Sequence, residues 1–440
     1  MENHKDGLFS KNGISYFVPF VMITTCFALW GFANDVTNPM VKSYSTIFQI
    51  SNVESSLVQV AFYLGYFVMA FPAAMFIQKY SFKSGVVLGL FLYAIGALAF
   101  IPASYTGIFY PFLAAYLVMT CGLSFLETSC NPYIYCMGSE DTATRRLNLA
   151  QAFNPIGAVS GTFVAWLFVQ QRLDPTPSAE RFRLMSENLP VFNAMKDHDL
   201  GILIQPYIYI GIVVVVLLIT ILSKKMPKAG DSAVSKSLGQ ALRELSGEKN
   251  YCRGVIAQFF YIGAQVTCWT FIMHYGHEVF CAQGGMTESA ASALSFRYYI
   301  GALILFAIGR FVCTYFLKYV SPGVLLATLA FFATALLMGV IFAGGITGMW
   351  CLVGISGCMS LMFPTIYGLA LHGLGDNVKF GGAGLIMSIL GGSVLPPIQA
   401  AIMDRGADIL GLPAVNASFI VPVVCFIVVA WYGVSCKRQS

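Results

Sequence analysis

Apolar runs of about 20 residues recur along the chain and alternate with short polar segments. Twelve such runs are predicted near residues 17–38, 56–78, 83–103, 108–137, 147–170, 204–223, 251–275, 291–317, 322–344, 348–373, 379–403 and 414–435. A helix of this length crosses a hydrocarbon core roughly 30 Å thick, whereas the strands of a membrane barrel alternate apolar and polar residues over about ten positions. The pattern therefore predicts an all-α polytopic membrane protein with 12 transmembrane helices.

The composition agrees with an integral membrane protein, because 57% of the residues are hydrophobic and only 10% are charged, against about 25% charged in a soluble domain. The net charge of +5 is explained by topology and does not indicate nucleic-acid binding. With the N-terminus inside, the inner segments hold 17 Lys and Arg residues and the outer segments hold six. The positive-inside rule then predicts that both termini are cytoplasmic.

Several classes of function lack their sequence signatures. No Walker, GxSxG or HExxH motif is present, so we expect neither an ATP-driven transporter nor an enzyme with common hydrolytic chemistry. The 12 cysteines are scattered and form no CxxC pair, which predicts neither a disulfide nor a bound metal. The first sixteen residues are polar and lack the apolar core of a cleaved signal peptide. The first span is then itself the insertion signal.

The polar stretch 224–250 divides the spans into two groups of six. We predict a cytoplasmic N-terminal tail at 1–16, an N-terminal half at 17–223, this stretch as a cytoplasmic linker, a C-terminal half at 251–435 and a C-terminal tail at 436–440. The halves also echo each other, since SFLETSCNPYIYCMG in the fourth span corresponds to SLMFPTIYGLALHGLG in the tenth. Two six-helix halves joined by a basic loop resemble the layout of major facilitator transporters.

A single acid, Glu127, lies in the middle of the otherwise uncharged fourth span. An ionised carboxylate at the centre of a bilayer costs at least about 2.5 kcal/mol, so such a residue usually carries a proton or binds a polar substrate. Removal from water favours the neutral carboxyl, which can exchange its proton when water or substrate arrives. Asn131 lies four residues on and projects from the same face. The alternative is a permanently neutral glutamate bonded to a neighbouring helix.

The first span carries a second candidate acid. Its segment LWGFANDVTNPMV contains Asp35 and Asn38 before Pro39, and residue 35 reaches residue 38 one turn on. Pro39 removes a backbone donor and is expected to loosen the helix beside these groups. No basic residue nearby accounts for the cluster, so we predict Asp35 as a proton-coupling residue and Asn38 as a substrate-binding residue. The alternative is a helix end at the outer interface.

Amide side chains recur every three residues at the start of the fifth span. The segment RRLNLAQAFNPIG places Asn148, Gln151 and Asn154 at positions that drift by about 60° per step around a helix. Amides offer both donors and an acceptor to the hydroxyl groups of a sugar. We therefore predict Gln151 and Asn154 as sugar-binding residues, while Asn148 also fits hydrogen bonding between helices.

The seventh span places amides and aromatics on one helical stripe. In QFFYIGAQVTCWTFIMHY, the spacing i, i+3, i+7, i+11 joins Gln258, Tyr261, Gln265 and Trp269. An aromatic face beside amides suits the C–H face of a pyranose, and a purely apolar core would not need two glutamines. We predict Gln258, Gln265 and Trp269 as sugar-binding residues; for Trp269 the alternative is packing.

Two other spans carry polar residues that fit the same interpretation. Gln59 shares a face of the second span with Tyr63 and is predicted to join the substrate cavity. Arg310 lies eight residues before Lys318, which places it about 12 Å inside the inner end of the eighth span. We expect Arg310 either to anchor a gating salt bridge or to extend toward the membrane surface.

Five of these segments together resemble the fucose–galactose–glucose:proton symporter branch of the major facilitator superfamily. They are LWGFANDVTNP, VQVAFYLGYF, FLETSCNP, LNLAQAFN and QFFYIGAQVTCW, and the resemblance covers nearly the whole chain. The Cys-Trp of GAQVTCWTF is most similar to the L-fucose members. The resemblance implies uptake of L-fucose with a proton by alternating access in a bacterial inner membrane, with the proton as coupling ion and no cofactor.

The resemblance also implies roles for individual residues. Glu127 is expected to take part in proton-coupled sugar recognition, and Asn154 is similar to an amide important for the family's transport cycle. The first-span acid of the family aligns with Asn38, whereas Asp35 lies one turn earlier. Either Asp35 substitutes for that acid or coupling depends on Glu127 alone.

Other functions remain open from the sequence. One is a symporter for glucose, galactose or N-acetylglucosamine, and a more remote one is a membrane sensor that binds sugar without moving it. A sensor does not require a titratable carboxyl in the middle of a span, and a membrane enzyme would need clustered nucleophiles or metal ligands. We expect the partners to be a monosaccharide, a proton and the lipid bilayer, and we expect a monomer that binds no nucleic acid.

Overall fold

The structure is a computed structural model of the 440-residue chain. It describes residues 8–11, 14–50, 52–224, 226, 237–282, 285–403 and 411–437. The side chains of Asn38 and Gln59 lie outside the described part, and so do residues 225 and 227–236 of the predicted linker. Within the described part, 12 helices are long and apolar enough to cross a membrane, which confirms the predicted fold class.

Continuous or interrupted helices form the first six spans. Their bounds are, in order, Phe17–Phe48; Asn52–Lys79; Phe82–Leu98 with Phe100–Thr106; Tyr110–Cys136; Ala143–Gln151 with Asn154–Val164; and Leu189–Leu203 with Gln205–Ser223. A 3-10 turn at Glu140–Thr142 precedes the fifth span, and a π turn at Ala165–Gln170 ends it. The helix Ser178–Glu187 lies between the fifth and sixth spans.

The last six spans follow the same plan. Their bounds are Lys249–Ala282; Glu288–Phe316; Pro322–Met338; Gly345–Met359 with Met362–Leu371; Val378–Met387 with Gly391–Met403; and Ala414–Ser418 with Ile420–Lys437. Shorter elements are the helix Leu238–Gly247, a π turn at Gly339–Ala343, and 3-10 turns at Gly375–Asn377 and Ser388–Leu390. Near the N-terminus, the strands Ser10–Lys11 and Ile14–Ser15 pair as an antiparallel hairpin.

Helix packing repeats between the first six spans and the last six. The first span packs against the fifth, the second against the fourth and the third against the sixth. In the last six, the seventh packs against the eleventh, the eighth against the tenth and the ninth against the twelfth. The second group repeats the first with each number raised by six, as expected if the weak sequence echo reflects an internal repeat.

The chain forms two compact units. One contains the described residues of Phe17–Tyr133 and Phe153–Asp231, and the other contains those of Met1–Tyr16, Ile134–Ala152 and Ser232–Ser440. The second unit thus includes the C-terminal end of the fourth span and the Ala143–Gln151 part of the fifth. The predicted domain boundaries remain a prediction.

Glycines permit two equivalent close approaches of backbones. A Cβ on Gly157 would lie 1.9 Å from the carbonyl oxygen of Ala28, where the fifth span crosses the first. A Cβ on Gly391 would lie 2.0 Å from the carbonyl oxygen of Phe259, where the eleventh span crosses the seventh. Membrane helices associate through such close contacts because lipid supplies no hydrophobic drive between them.

Proline has different effects in different spans. The first span continues as a helix through Pro39 and the fourth continues through Pro132, so the expected loosening at Pro39 does not interrupt the helix. The fifth span instead breaks at Ala152 and Phe153, before Pro155, and the tenth breaks at Ser360 and Leu361, before Pro364. A membrane helix tolerates proline where neighbouring groups satisfy the carbonyl that it leaves free.

A buried ion pair orders the segment between the fifth and sixth spans. Arg181 Nη2 lies 2.7 Å from Asp199 Oδ2, and both side chains are almost completely buried. The backbone N–H of Asp174 donates to Asp199 at 2.9 Å, and hydrogen bonds from Thr176 lower the pKa of Asp174 itself. The positive-inside count places Arg181 in an outer segment, and its pairing with Asp199 neutralises this charge.

Gly157→Ala should destabilise the first unit, because its new methyl group would collide with the Ala28 carbonyl. Overpacking of this kind costs about 1 to 3 kcal/mol, measurable as a lower unfolding temperature of the detergent-solubilised protein. Gly301→Ala is the matched control, since a Cβ at this helical position meets no atom within 4 Å. Equal unfolding temperatures for the two variants would contradict the close approach.

Candidate functional site

Glu127 is buried within the fourth span, with 6% of its surface exposed. None of the ion pairs found among the described residues involves it. A carboxylate without a cation is costly at this depth, whereas a protonated carboxyl is neutral and can donate a hydrogen bond. Burial without a counter-charge is the environment that the sequence predicts for a proton-carrying residue.

The second span contributes a tyrosine hydroxyl to Glu127. Tyr66 is buried, and its hydroxyl lies close to the Glu127 carboxyl. That hydroxyl makes no well-formed hydrogen bond with any described residue. A phenolic hydroxyl can accept from a protonated carboxyl or donate to a carboxylate. Tyr66 can therefore stabilise Glu127 in either protonation state.

Tyr63 places a second hydroxyl between the two predicted acids. It lies one turn before Tyr66, near enough for electrostatic interaction with both Tyr66 and Asp35. Asp35 is half-buried in the first span, and no ion pair among the described residues involves it. Tyr63 and Tyr66 thus line the second span between Asp35 and Glu127.

Asn131 is completely buried one turn beyond Glu127. Its Nδ2 donates to the Glu127 backbone carbonyl at 3.0 Å, within the same helix. This bond fixes the orientation of the amide one turn after Glu127. The expectation that both side chains share one face of the fourth span is met, while a role for Asn131 in binding sugar stays a prediction.

Gln258 is the most unusual amide of the seventh span. Its side chain is completely buried, and neither Oε1 nor Nε2 has a hydrogen-bond partner among the described residues. An unsatisfied buried polar group costs about 1 to 3 kcal/mol, so a hydroxyl group or a water that satisfied this amide would be favoured. Gln265, two turns on, is half-buried.

Trp269 makes packing contacts and a hydrogen bond. Its Nε1 donates to Ser356 Oγ at 3.1 Å, and its ring meets the Phe306 ring edge to face with centroids 4.9 Å apart. The side chain remains half-buried. These contacts fix the orientation of the indole, and they are compatible with a packing role or with a platform for sugar.

Arg310 is 3% exposed, so it does not extend to the surface, and none of the ion pairs among the described residues is the expected gating salt bridge. Its Nη1 donates to the Gln151 carbonyl at 3.0 Å, and its Nε donates to the Ser360 carbonyl. Its guanidinium also lies 4.6 Å from the centre of the Phe306 ring. Sequence reasoning located the charge within the span, but it could not identify backbone carbonyls as the partners.

The remaining amides of the fifth span contact other helices. Asn154 Nδ2 donates to the Phe27 carbonyl of the first span at 3.2 Å. Asn148 Nδ2 donates to Thr365 Oγ1 of the tenth span at 3.1 Å, so Asn148 serves the helix-to-helix bonding that its position allows. Gln151 is buried. The substrate roles predicted for Gln151 and Asn154 remain predictions.

The predicted site residues fall into both units. Glu127, Asn131, Asp35 and Asn154 belong to one, and Gln151, Gln258, Gln265 and Trp269 belong to the other. Nothing can be described for the side chains of Asn38 and Gln59. Sequence reasoning missed Tyr66, although its position at i+7 from Gln59 and i+3 from Tyr63 was a usable signal.

The groups of each unit suit one task, since a proton can be held in the first unit and a hydroxylated ligand can be contacted in the second. One unit offers a buried carboxyl with two tyrosine hydroxyls, and the other offers an unsatisfied amide and an oriented indole. Among the described residues, no group of three or more His, Cys, Asp or Glu side chains could hold a metal ion.

Comparisons with known proteins agree with this fold. Residues 21–396 match the model of the Major Facilitator Superfamily. The chain is 46% identical to an L-fucose-proton symporter of Haemophilus influenzae, over 95% of this chain and 96% of the relative. It is 31% identical to a glucose/galactose transporter of Brucella abortus, over 95% of this chain and 94% of the relative.

A solved structure matches the fold along its length. The crystal structure of the Major Facilitator Superfamily transporter FucP in the outward conformation superposes with a TM-score of 0.84 and 30% identity, covering 96% of this chain and 99% of that chain. The matches extend through all the polar segments from which the family was predicted. The chain belongs to the Major Facilitator Superfamily, in its fucose–galactose–glucose:proton symporter branch.

Proposed function

We propose that this chain is a secondary active transporter that takes up L-fucose together with a proton by alternating access. The observation that carries the proposal is the buried Glu127 carboxyl, which has no ion-pair partner among the described residues, in a chain whose matched relatives are sugar transporters. Simple sugar binding does not require a titratable group at this position. It supplies what symport needs, a proton that binds and leaves with the sugar.

Fucose is favoured over other hexoses by similarity. The identity is 46% to the protein named as an L-fucose-proton symporter and 31% to the one named as a glucose/galactose transporter. The Cys268-Trp269 pair agrees with the L-fucose members of the branch. Glucose, galactose and N-acetylglucosamine remain the alternatives that a transport assay separates.

Within the proposal, Glu127 is the principal proton site and Asp35 a second one. Tyr66 stabilises the Glu127 carboxyl in both protonation states, and Tyr63 lies between Tyr66 and Asp35. The sugar is bound by amides, for which Asn38, Gln59, Asn131, Gln151, Asn154, Gln258 and Gln265 are the candidates, with Trp269 beneath the pyranose. Gln258 is favoured among them because its buried amide has no hydrogen-bond partner in the part of the chain that the structure describes.

We also propose that both termini face the cytoplasm of a bacterial cell, because 17 Lys and Arg residues then lie in inner segments and six in outer ones. A fluorescent protein that folds only in the cytoplasm, fused after Ser440, should be bright. A dark fusion that still transports would show that the orientation is the reverse.

We propose that the protein is a monomer, and light scattering of the detergent-solubilised protein tests this.

Uptake of labelled sugars by cells expressing the chain tests the substrate. L-fucose should accumulate, and an uncoupler that collapses the proton gradient should abolish its accumulation. D-glucose, D-galactose and N-acetylglucosamine should accumulate far less. If one of these three sugars accumulated more than L-fucose, that sugar would be the substrate instead. If an uncoupler left the accumulation unchanged, proton coupling would be refuted.

Glu127→Gln should abolish accumulation of L-fucose in liposomes with an imposed proton gradient, because the amide keeps the shape of a protonated carboxyl but carries no exchangeable acidic proton. Exchange of labelled for unlabelled sugar without a gradient should persist. Glu187→Gln is the control, since that side chain is 65% exposed in a weak surface ion pair. Gradient-driven accumulation by the Glu127 variant would remove this residue from the coupling mechanism.

A further inference from the structure

The two carbonyls that Arg310 binds have a common origin in the sequence. In an α-helix, a carbonyl accepts from the N–H four residues later. Four residues after Gln151 is Pro155, and four residues after Ser360 is Pro364. Proline has no N–H, so both carbonyls lack their intrahelical donor. One guanidinium, from the eighth span, satisfies both of them.

The breaks in the two spans lie beside these carbonyls. The fifth span is interrupted at Ala152 and Phe153, and the tenth at Ser360 and Leu361. At the second break, the Tyr261 hydroxyl donates to the neighbouring Met359 carbonyl at 3.1 Å. Free carbonyls are costly inside a membrane, and irregular backbone persists there only where protein groups satisfy it. Arg310 meets this need at both breaks.

We propose that Arg310 is a positioning residue that holds the Ala143–Gln151 part of the fifth span against the tenth span through these two carbonyls. This interaction determines what fraction of the molecules adopts the conformation described above. Arginine suits the task because its planar fork can serve two acceptors at fixed angles, whereas a lysine ammonium is a single compact charge. This inference depends on the proposed function only where sugar binding is the readout.

Further contacts lie along the same interface. Asn148 bonds Thr365, and the Glu140 carboxylate accepts from the Gly373 N–H at 2.9 Å. A Cβ on Gly368 would lie 2.6 Å from Thr144 Oγ1, so the backbones approach closely. Among the described residues that form these contacts between the fifth and tenth spans, Arg310 supplies the buried cation, and its two acceptors come from different spans. Its loss should therefore weaken the interface more than the loss of a single neutral bond.

Arg310 also connects this interface to a predicted sugar-binding side chain. Its guanidinium lies over the Phe306 ring, which contacts the Trp269 indole edge to face. Trp269 is in turn fixed by Ser356, four residues before Ser360 in the tenth span. A change at Arg310 should consequently disturb the orientation of Trp269 as well as the carbonyl of Gln151.

The test measures a distance, stability and binding on the same variants. Asp141 and His372 are exposed and adjoin the Glu140–Gly373 contact. Nitroxides attached to unnatural ketone amino acids at these two positions leave the 12 native cysteines in place. In the parent protein, double electron–electron resonance should show mainly a short distance between the two nitroxides. Arg310→Gln should shift most of the population to longer distances, while Arg297→Gln, an exposed change on the same helix, should not.

Restoring the missing N–H groups distinguishes a loss of contact between the two spans from a loss of protein stability. In the Arg310→Gln background, Pro155→Ala and Pro364→Ala together return an intrahelical donor to each carbonyl. The melting temperature lost with Arg310 should recover, whereas the short distance should not, because the spans are no longer joined. A nitroxide distance that Arg310→Gln leaves unchanged would overturn the proposal. Recovery of both the melting temperature and the short distance in the triple variant would also overturn it, because Arg310 would then serve only to satisfy the two carbonyls.

Binding of L-fucose provides the link to function. If the held conformation falls to about a tenth of the population, the apparent Kd should rise about tenfold. If the parent protein binds no L-fucose, the proposed substrate is wrong, while the distance measurement still tests the contact between the two spans.

If Arg310→Gln does not fold, Pro155→Ala alone replaces it as the test variant, because the restored N–H competes with Arg310 for the Gln151 carbonyl. A distance unchanged by that variant would overturn the proposal.

Discussion

The need to satisfy every backbone polar group without water governs this structure. A membrane span meets it by forming a helix, since each carbonyl then finds its donor four residues on. Proline breaks the rule at one carbonyl, and the consequence depends on what lies nearby. At Gln151 and Ser360 the donor is the Arg310 guanidinium. Interrupted spans and a buried cation thus have a single explanation.

Close packing of the spans determines where the functional groups lie. Gly31 and Gly157 let the fifth span approach the first, and the Asn154 amide donates to the Phe27 carbonyl across this contact. The second and fourth spans meet where Ser124 bonds the Tyr66 carbonyl, which brings the Tyr66 side chain to Glu127. The site is therefore a product of helix contacts made by small residues, with few polar bonds required.

The sequence was sufficient to predict the spans, the family and a buried acid in the fourth span, because each depends on local composition or on a recognisable motif. Glu127 needed only its position in an apolar run. The partners of Arg310 could not be predicted, since they are carbonyls far along the chain and backbone atoms leave no mark in a residue pattern. Pro39 and Pro132 share the sequence context of Pro155, yet their helices continue. Tertiary neighbours, invisible in the sequence, decide that difference.

The composition of the two units has a consequence for the order of synthesis. Most contacts of the first six spans can form as soon as those spans are made. The Ala143–Gln151 segment is different, because the Thr365 partner of Asn148 is synthesised 217 residues later. At a translation rate of about 5 to 20 residues per second, that delay is roughly 10 to 40 s. Throughout this interval the ribosome is still extending the chain, and the Asn148 amide can donate to the Thr144 carbonyl of its own helix but not yet to Thr365.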